Sequence, residues 1–176
     1  MYARHGASLA RADSAHVLRR LLEAADHPSP AVRAHLAYVA SRGSIAELLP
    51  VIAELASSDP GQLDGLYIVR RDASDALPGL QHARAALTTG ELLNRLTLLT
   101  AAACDDADGR LRGQCTALAA HLATADRHLA AGQARPAANA LDAYRDAVQR
   151  LAADRLLPHL TAVTLDGTAR AIADRL

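Results

Sequence analysis

The chain has 176 residues, with 51% hydrophobic and only 2% aromatic residues, no Phe and no Trp. That length fits one ordinary domain or two small helical subdomains, and the core has to be built from Leu, Ala, Val and Ile. Lys plus Arg equals Asp plus Glu at 19 each. There is then no basic excess to attract nucleic acid or an anionic membrane surface. Ala and Leu favour helix, whereas the β-branched and aromatic residues that favour strands are scarce. The composition predicts an all-α protein.

Helix breakers divide the chain. A first helix is predicted from about Ser8 to Ala25, with Ala15, Leu18, Leu22 and Ala25 on one face. After "DHPSP", Ser29 is placed to be an N-cap with Pro30 at the first helical position. Val32, Leu36, Val39 and Ala40 form the stripe expected to be buried, and Gly43 closes that helix. Ser44 and Glu47 have capping-box spacing for a third helix carrying Ile45, Leu48, Leu49, Ile52 and Leu55. Pro50 implies a kink there, or a later start. Between residues 60 and 80 the pattern is hard to read. "LYIV" has strand propensity without a partner strand, so a buried helical turn is expected, followed by a short helix over Gln81–Ala86.

The second half is more regular. Thr88 and Glu91 suit another capping box, followed by Leu92, Leu96, Leu99 and Ala103. Beyond "CDDADG", Leu111, Cys115, Leu118, Leu122, Ala125 and Leu129 alternate four- and three-residue steps, the spacing of a helix seam. Gly132 is placed to be the C′ residue of that helix. The seam resumes at Ala137, Leu141, Tyr144, Val148 and Leu151, so a short connection makes the two helices antiparallel neighbours. Leu165, Ala169, Ile172 and Leu176 give a final stripe. The expected architecture is a helical bundle or irregular array of antiparallel hairpins. A hairpin region covers residues 1–87 and an antiparallel bundle residues 88–176, as two units or one continuous domain.

Two likenesses accompany this reading. Leu18, Leu21 and Leu22, then Pro30, Val32 and Arg33, then Ala37, make residues 18–43 resemble a single HEAT-type helical repeat. From about Gly90 onward the chain resembles the FIMAH-type helical module of bacterial secreted multidomain proteins. That likeness rests on Leu118, Leu122, Ala125, Leu129, Gly132, Ala138, Leu141, Tyr144, Arg145 and Val148, with Tyr144 where the family usually has Phe. It implies a non-catalytic accessory domain attached to an extracellular enzyme.

Sites of chemistry are few. "YARHGAS" echoes the Arg-His-Gly signature of histidine phosphatases, but no β/α alternation follows to hold His5 at a strand end. Asp106, Asp108 and Gly109 have calcium-loop spacing, yet the template's first and last ligands fall on Cys104 and Cys115. Those cysteines admit a disulfide clamping two helices, or two reduced thiols serving as small core residues; the second is expected where no targeting segment is seen. His121 and His128 are about 10 Å apart along a helix, too far for one metal ion. His27, His35, His82 and His159 are scattered through other elements. No catalytic, cofactor or metal site is expected.

The function expected is protein–protein contact, with another protein or with a second copy, and without nucleic acid or membrane. The rival reading is a small-molecule-binding or enzymatic helical protein with a pocket between the two halves. The N-terminus lacks the apolar core of a signal peptide, which implies a cytoplasmic chain; a fragment of a secreted multidomain protein would instead be extracellular.

Overall fold

The structure is a computed structural model, and it describes residues 11–105, 107 and 109–176. Ser8, the expected start of the first helix, and His5 lie outside the described residues. The described chain forms eight α-helices: α1 (Arg11–Ala25), α2 (Pro30–Gly43), α3 (Leu49–Ser58), α4 (Ile68–Ala85), α5 (Thr89–Ala103), α6 (Gly109–Ala130), α7 (Ala134–Ala153) and α8 (His159–Ala173). A single 3₁₀ turn, Ala46–Leu48, precedes α3. The fold is all-α, and none of the described helices is long and apolar enough to cross a membrane.

Helix ends follow local chemistry, with two departures. Ser29 has the extended backbone of an N-cap and Pro30 opens α2, although the Ser29 side chain makes no capping bond. At Thr88 the full capping box forms: the Glu91 amide donates to Thr88 Oγ1 at 3.2 Å, and the Thr88 amide donates to Glu91 Oε2 at 2.7 Å. Gly132 takes φ +70°, and the Gln133 amide reaches back to the His128 carbonyl at 2.8 Å, a Schellman closure of α6. The first departure is at Ser44, which is not an N-cap. It adopts the left-handed conformation, φ 49°, and closes α2 instead. The expected Ser44–Glu47 box therefore does not form. Glu47 is buried and accepts from Arg95 Nη1 of α5 at 2.6 Å.

The second departure covers residues 60–86. Leu63 and Leu66 exchange backbone hydrogen bonds of 2.9 and 3.0 Å around Asp64 and Gly65, both at positive φ. This is the Asp-Gly geometry of a type I′ turn. "LYIV" is thus neither a strand nor an isolated turn: Ile68 begins α4, which runs 18 residues to Ala85 and swallows the expected short helix over Gln81–Ala86. Pro78 sits inside α4 and cannot donate to the Ser74 carbonyl. Both residues face solvent, so the freed carbonyl is not buried and the helix continues.

Helices α2 and α3 pack on α4, α1 packs on α5, and α6 and α7 form the closest antiparallel pair. Helix α8 lies at the centre, touching α1, α3, α5 and α7. One continuous cluster of buried apolar side chains runs from Leu18 in α1 to Ile172 in α8 and draws on both expected regions. The stripe on α2 is Ala34, Leu36, Ala37 and Ala40; Val32 and Val39 are only half-buried. That rotation turns the small face of α2 toward α4. Leu176, expected to end the final stripe, is exposed.

Polar clamps fasten this apolar packing. Arg33 of α2 donates Nε to Asp59 Oδ2 at 2.6 Å and Nη2 to Asp59 Oδ1 at 2.9 Å, a bidentate pair. Its Nη1 reaches the His27 carbonyl at 2.6 Å, so one guanidinium fixes the α1–α2 connection and the end of α3 together. The Gly61 amide donates to Asp59 Oδ1 at 2.6 Å, and Arg70 Nε of α4 donates to the Asp59 carbonyl at 2.7 Å. Burial alone would raise the Asp59 carboxyl. The Arg33 and Gly61 hydrogen bonds and the charges of Arg33 and Arg70 outweigh it and hold the group below the ordinary carboxylate value.

Removing one member of a buried charge pair strands the other, at a cost of about 3–5 kcal/mol. Asp59→Ala should lose that much stability in denaturant melts. A carboxyl depressed in the folded state contributes stability above its unfolded pKa, near 4, and loses it as pH falls through the folded value. The wild-type melting temperature should therefore drop below about pH 4, and more steeply than that of Asp59→Ala. Parallel acid limbs for the two proteins would refute the role given to Asp59.

Candidate functional site

Two concave regions and one buried polar contact are the candidate sites. The first is a cleft of about 400 Å³ where α1, the end of α5 and the start of α8 meet, lined by Arg19, Leu22, Asp26, Ala103, Leu111 and Thr161 among others. Arg19 donates Nη1 to Asp105 Oδ2 at 3.1 Å and lies 3.6 Å from Glu23. Its charge is therefore already matched by carboxylates. Burial pushes the Asp26 carboxyl above its ordinary value, opposed by the Leu160 amide and by His159 at the start of α8. The cleft is mostly apolar, and the Arg19 charge in it is matched by Glu23 and Asp105.

The cysteines flank this cleft. Cys104 follows the last residue of α5 and Cys115 lies in the second turn of α6, and their Cα atoms are 6.0 Å apart. That separation is within disulfide range, and the sulfurs are bonded at 2.08 Å. The two reduced core thiols expected from the sequence are replaced by a half-buried clamp. Asp106 and Asp108, of the calcium-like spacing, lie outside the described residues.

Of the predicted seam, Leu118, Leu122, Ala125, Leu141, Tyr144 and Val148 are all buried, and Leu129, near the C-terminal end of α6, is only half-buried. Tyr144 is fully buried, and its hydroxyl lies 2.7 Å from Thr100 Oγ1 of α5. Thr100 has one hydroxyl proton and a carbonyl acceptor in Leu96 at 2.8 Å. Tyr144 is therefore the donor to Thr100, and the phenol links α7 to α5 rather than facing a ligand. Burial holds that phenol protonated far above its usual range.

The described histidines do not gather into a metal-binding group. His128 Nδ1 meets Gln133 Oε1 at 2.7 Å beside the α6 closure, and His27 Nδ1 accepts from the Ser29 amide at 3.0 Å. His35 stacks on Tyr38, with ring centroids 5.7 Å apart. Among the described residues, no group of three or more His, Cys, Asp or Glu side chains is placed to hold a metal ion.

The second concave region was not anticipated from the sequence. A groove runs between α2 and α4, in two basins of about 410 and 270 Å³ that share Tyr38 and Asp72. Ala31, Ala34, Ala37 and Ala76 line its apolar parts, and Ile68 closes one end. Tyr38 is 54% exposed, and the guanidinium of Arg42 lies 5.6 Å from its ring centre. In the turn leading into α4, Leu63, Leu66 and Tyr67 are also exposed, with Arg70 placed 4.9 Å over the Tyr67 ring. Two of the chain's four tyrosines are thus spent on this surface. The signal was available: Tyr38 falls off the apolar stripe of its own helix.

Tyr144→Phe deletes one buried hydrogen bond and should cost about 1 kcal/mol. Tyr144→Ala leaves a cavity and should cost about 3–5 kcal/mol. Equal losses in denaturant melts would place the contribution in the hydroxyl rather than the ring. Cleavage of the disulfide should cost about 3 kcal/mol for a loop of this length. Reductant should lower the wild-type midpoint and leave a Cys104→Ser, Cys115→Ser double variant unmoved.

No family model, curated protein or solved structure matches this chain.

Proposed function

We propose that this protein is a non-catalytic helical interaction module that docks another protein through the α2–α4 face. The observation that carries the reading is Tyr38. An aromatic side chain set at the centre of a groove, and held on its own helix by His35 and Arg42, has no packing role that would explain its exposure. Ordered tyrosines with arginine beside them are the residues on which binding energy concentrates at protein interfaces. Leu63, Leu66 and Tyr67 extend the exposed apolar surface from the adjoining turn. The likeness of residues 90–176 to a FIMAH-type accessory module, and of residues 18–43 to a HEAT-type repeat, supports the same reading, since both are helical scaffolds without catalysis. A disulfide would fit an extracellular setting for it.

Site-specific cross-linking tests the proposal. A photoreactive phenylalanine analogue is placed at Tyr38 or, as a control, at the exposed Gln114 of α6, and irradiated in an extract of the source cells. A discrete adduct from position 38 and none from 114 is expected, and an adduct of twice the 18.5 kDa chain mass would identify a second copy. Tyr38→Ala should leave thermal stability within about 0.5 kcal/mol of wild type, as for an exposed residue. Equal labelling from both positions, or a large stability loss in Tyr38→Ala, would overturn the proposal.

A further inference from the structure

The start of α6 is weakly built as a helix. Gly109 opens it at φ +38°, and Gly113 follows one turn later; glycine is among the poorest helix formers. A Cβ added at Gly113 would meet nothing within 4 Å, so no close contact requires glycine there. From Gly109 to Ala117 only Leu111 and Cys115 are half-buried and the rest are exposed, and Leu118 is the first buried side chain of the helix. Arg110 Nη2 reaches Asp154 Oδ2 at 2.8 Å, but both side chains are exposed, and such pairs contribute little. Arg112 and Thr116 donate to the nearby Ala107 and Arg112 carbonyls, which lie in the same segment. The strongest tie of these turns to the bundle is the bond from Cys115 to Cys104 at the end of α5. The ring it closes also carries part of the cleft wall. Ala107 and Leu111 line the cleft with Leu22, Ala103 and Pro158, and Asp105, beside Cys104, accepts from Arg19 of α1.

We infer that this disulfide is a redox-operated latch. Reduction by a dithiol releases the first two turns of α6, and with them the Leu111 side of the cleft, while the rest of the bundle stays folded. Both cysteines are half-buried rather than sealed in the core, which leaves the bond open to exchange with a thiol from solvent. A thiolate of the dithiol attacks one sulfur, its second thiol resolves the mixed disulfide, and the reductant departs as its own disulfide. Two electrons and two protons pass to Cys104 and Cys115, which end as thiols. The freed segment then unwinds as far as Leu118. From there Leu118, Leu122 and Ala125 keep the remainder of α6 packed on α7. Opening of this local kind follows the weakest packing in a fold, here a segment with no fully buried side chain.

Hydrogen exchange read by mass spectrometry on the whole chain tests the latch, with dithiothreitol as the reductant. Alkylation counts the free thiols, since the chain has two cysteines in all. Both should become alkylated without denaturant. The amides of Gly113 to Ala117 should then exchange about tenfold faster, while those of Leu122 to Ala130 and of α7 stay as they were. The Cys104→Ser, Cys115→Ser double variant should show the fast rate with or without reductant. Gly113→Ala should slow exchange of this segment about fivefold in the reduced protein, because helix propensity then sets its opening. A disulfide that yields only after denaturation, or unchanged exchange at Gly113 to Ala117 once it is reduced, overturns the inference. So does equal acceleration throughout α5 and α7, which is global unfolding, or indifference of the reduced protein to Gly113→Ala.

Discussion

A helix surrounded by neighbours, in a chain with no Phe or Trp, can bury its faces only by close approach. Helix α8 is that helix. Its inward faces carry Thr161, Ala162, Thr164, Leu165, Thr168, Ala169 and Ile172, none larger than leucine or isoleucine. At Gly167 an added Cβ would come within 2.7 Å of Pro50 Cβ, so α3 and α8 touch at a distance that glycine alone permits. Such contact distances leave little room for water, and the polar groups caught between helices are satisfied inside the protein. Thr164 returns its hydroxyl to the Leu160 carbonyl at 2.8 Å, and Arg84 of α4 donates to the Gly167 carbonyl at 2.9 Å. Tight helix packing and internal hydrogen bonding thus arise from one compositional fact.

Alanine-rich surfaces pack closely but slide easily, because a ridge of methyl groups has shallow grooves. Directional contacts remove that freedom. Asp59 ties α2, α3 and α4 through Arg33 and Arg70, and Glu47 ties the 3₁₀ turn to Arg95 of α5. Asp166 of α8 gathers Arg145 and Gln149 of α7 at 3.1 Å each. Each clamp is a carboxylate on one helix, or at its end, and an arginine on another. The guanidinium is suited to this use, since its several donors act in fixed directions at once.

Much of the helical framework was legible because a 3.6-residue apolar period and a proline or glycine boundary coincide in it. The α6–α7 hairpin, the Thr88 cap and the Gly132 closure are of that kind. Misreadings arose where local chemistry supports two outcomes. Ser44 and Glu47 have the spacing of a cap, but burial beside Arg95 gives the Glu47 carboxylate a stronger partner. Pro78 is tolerated inside α4 because Ser74, whose carbonyl it cannot reach, faces solvent, which is a tertiary fact. The Asp64–Gly65 turn carried its own signature and was obscured by the strand-like "LYIV" after it. The groove was hidden for another reason. Tyr38 and Asp72 are 34 residues apart in sequence, and only the packing of α2 on α4 makes them neighbours.

The covalent tie between Cys104 and Cys115 has a topological consequence. It closes a short ring of chain that contains Arg110 and Arg112, both exposed. A trypsin-like protease that cut after either arginine would open the ring without separating its halves. The fragment ending in the first turn of α6 and the fragment carrying the rest of that helix would stay one molecule, held by sulfur as well as by the shared core. A nick in the first turn of α6 would thus leave every helix from α1 to α8 attached to the others.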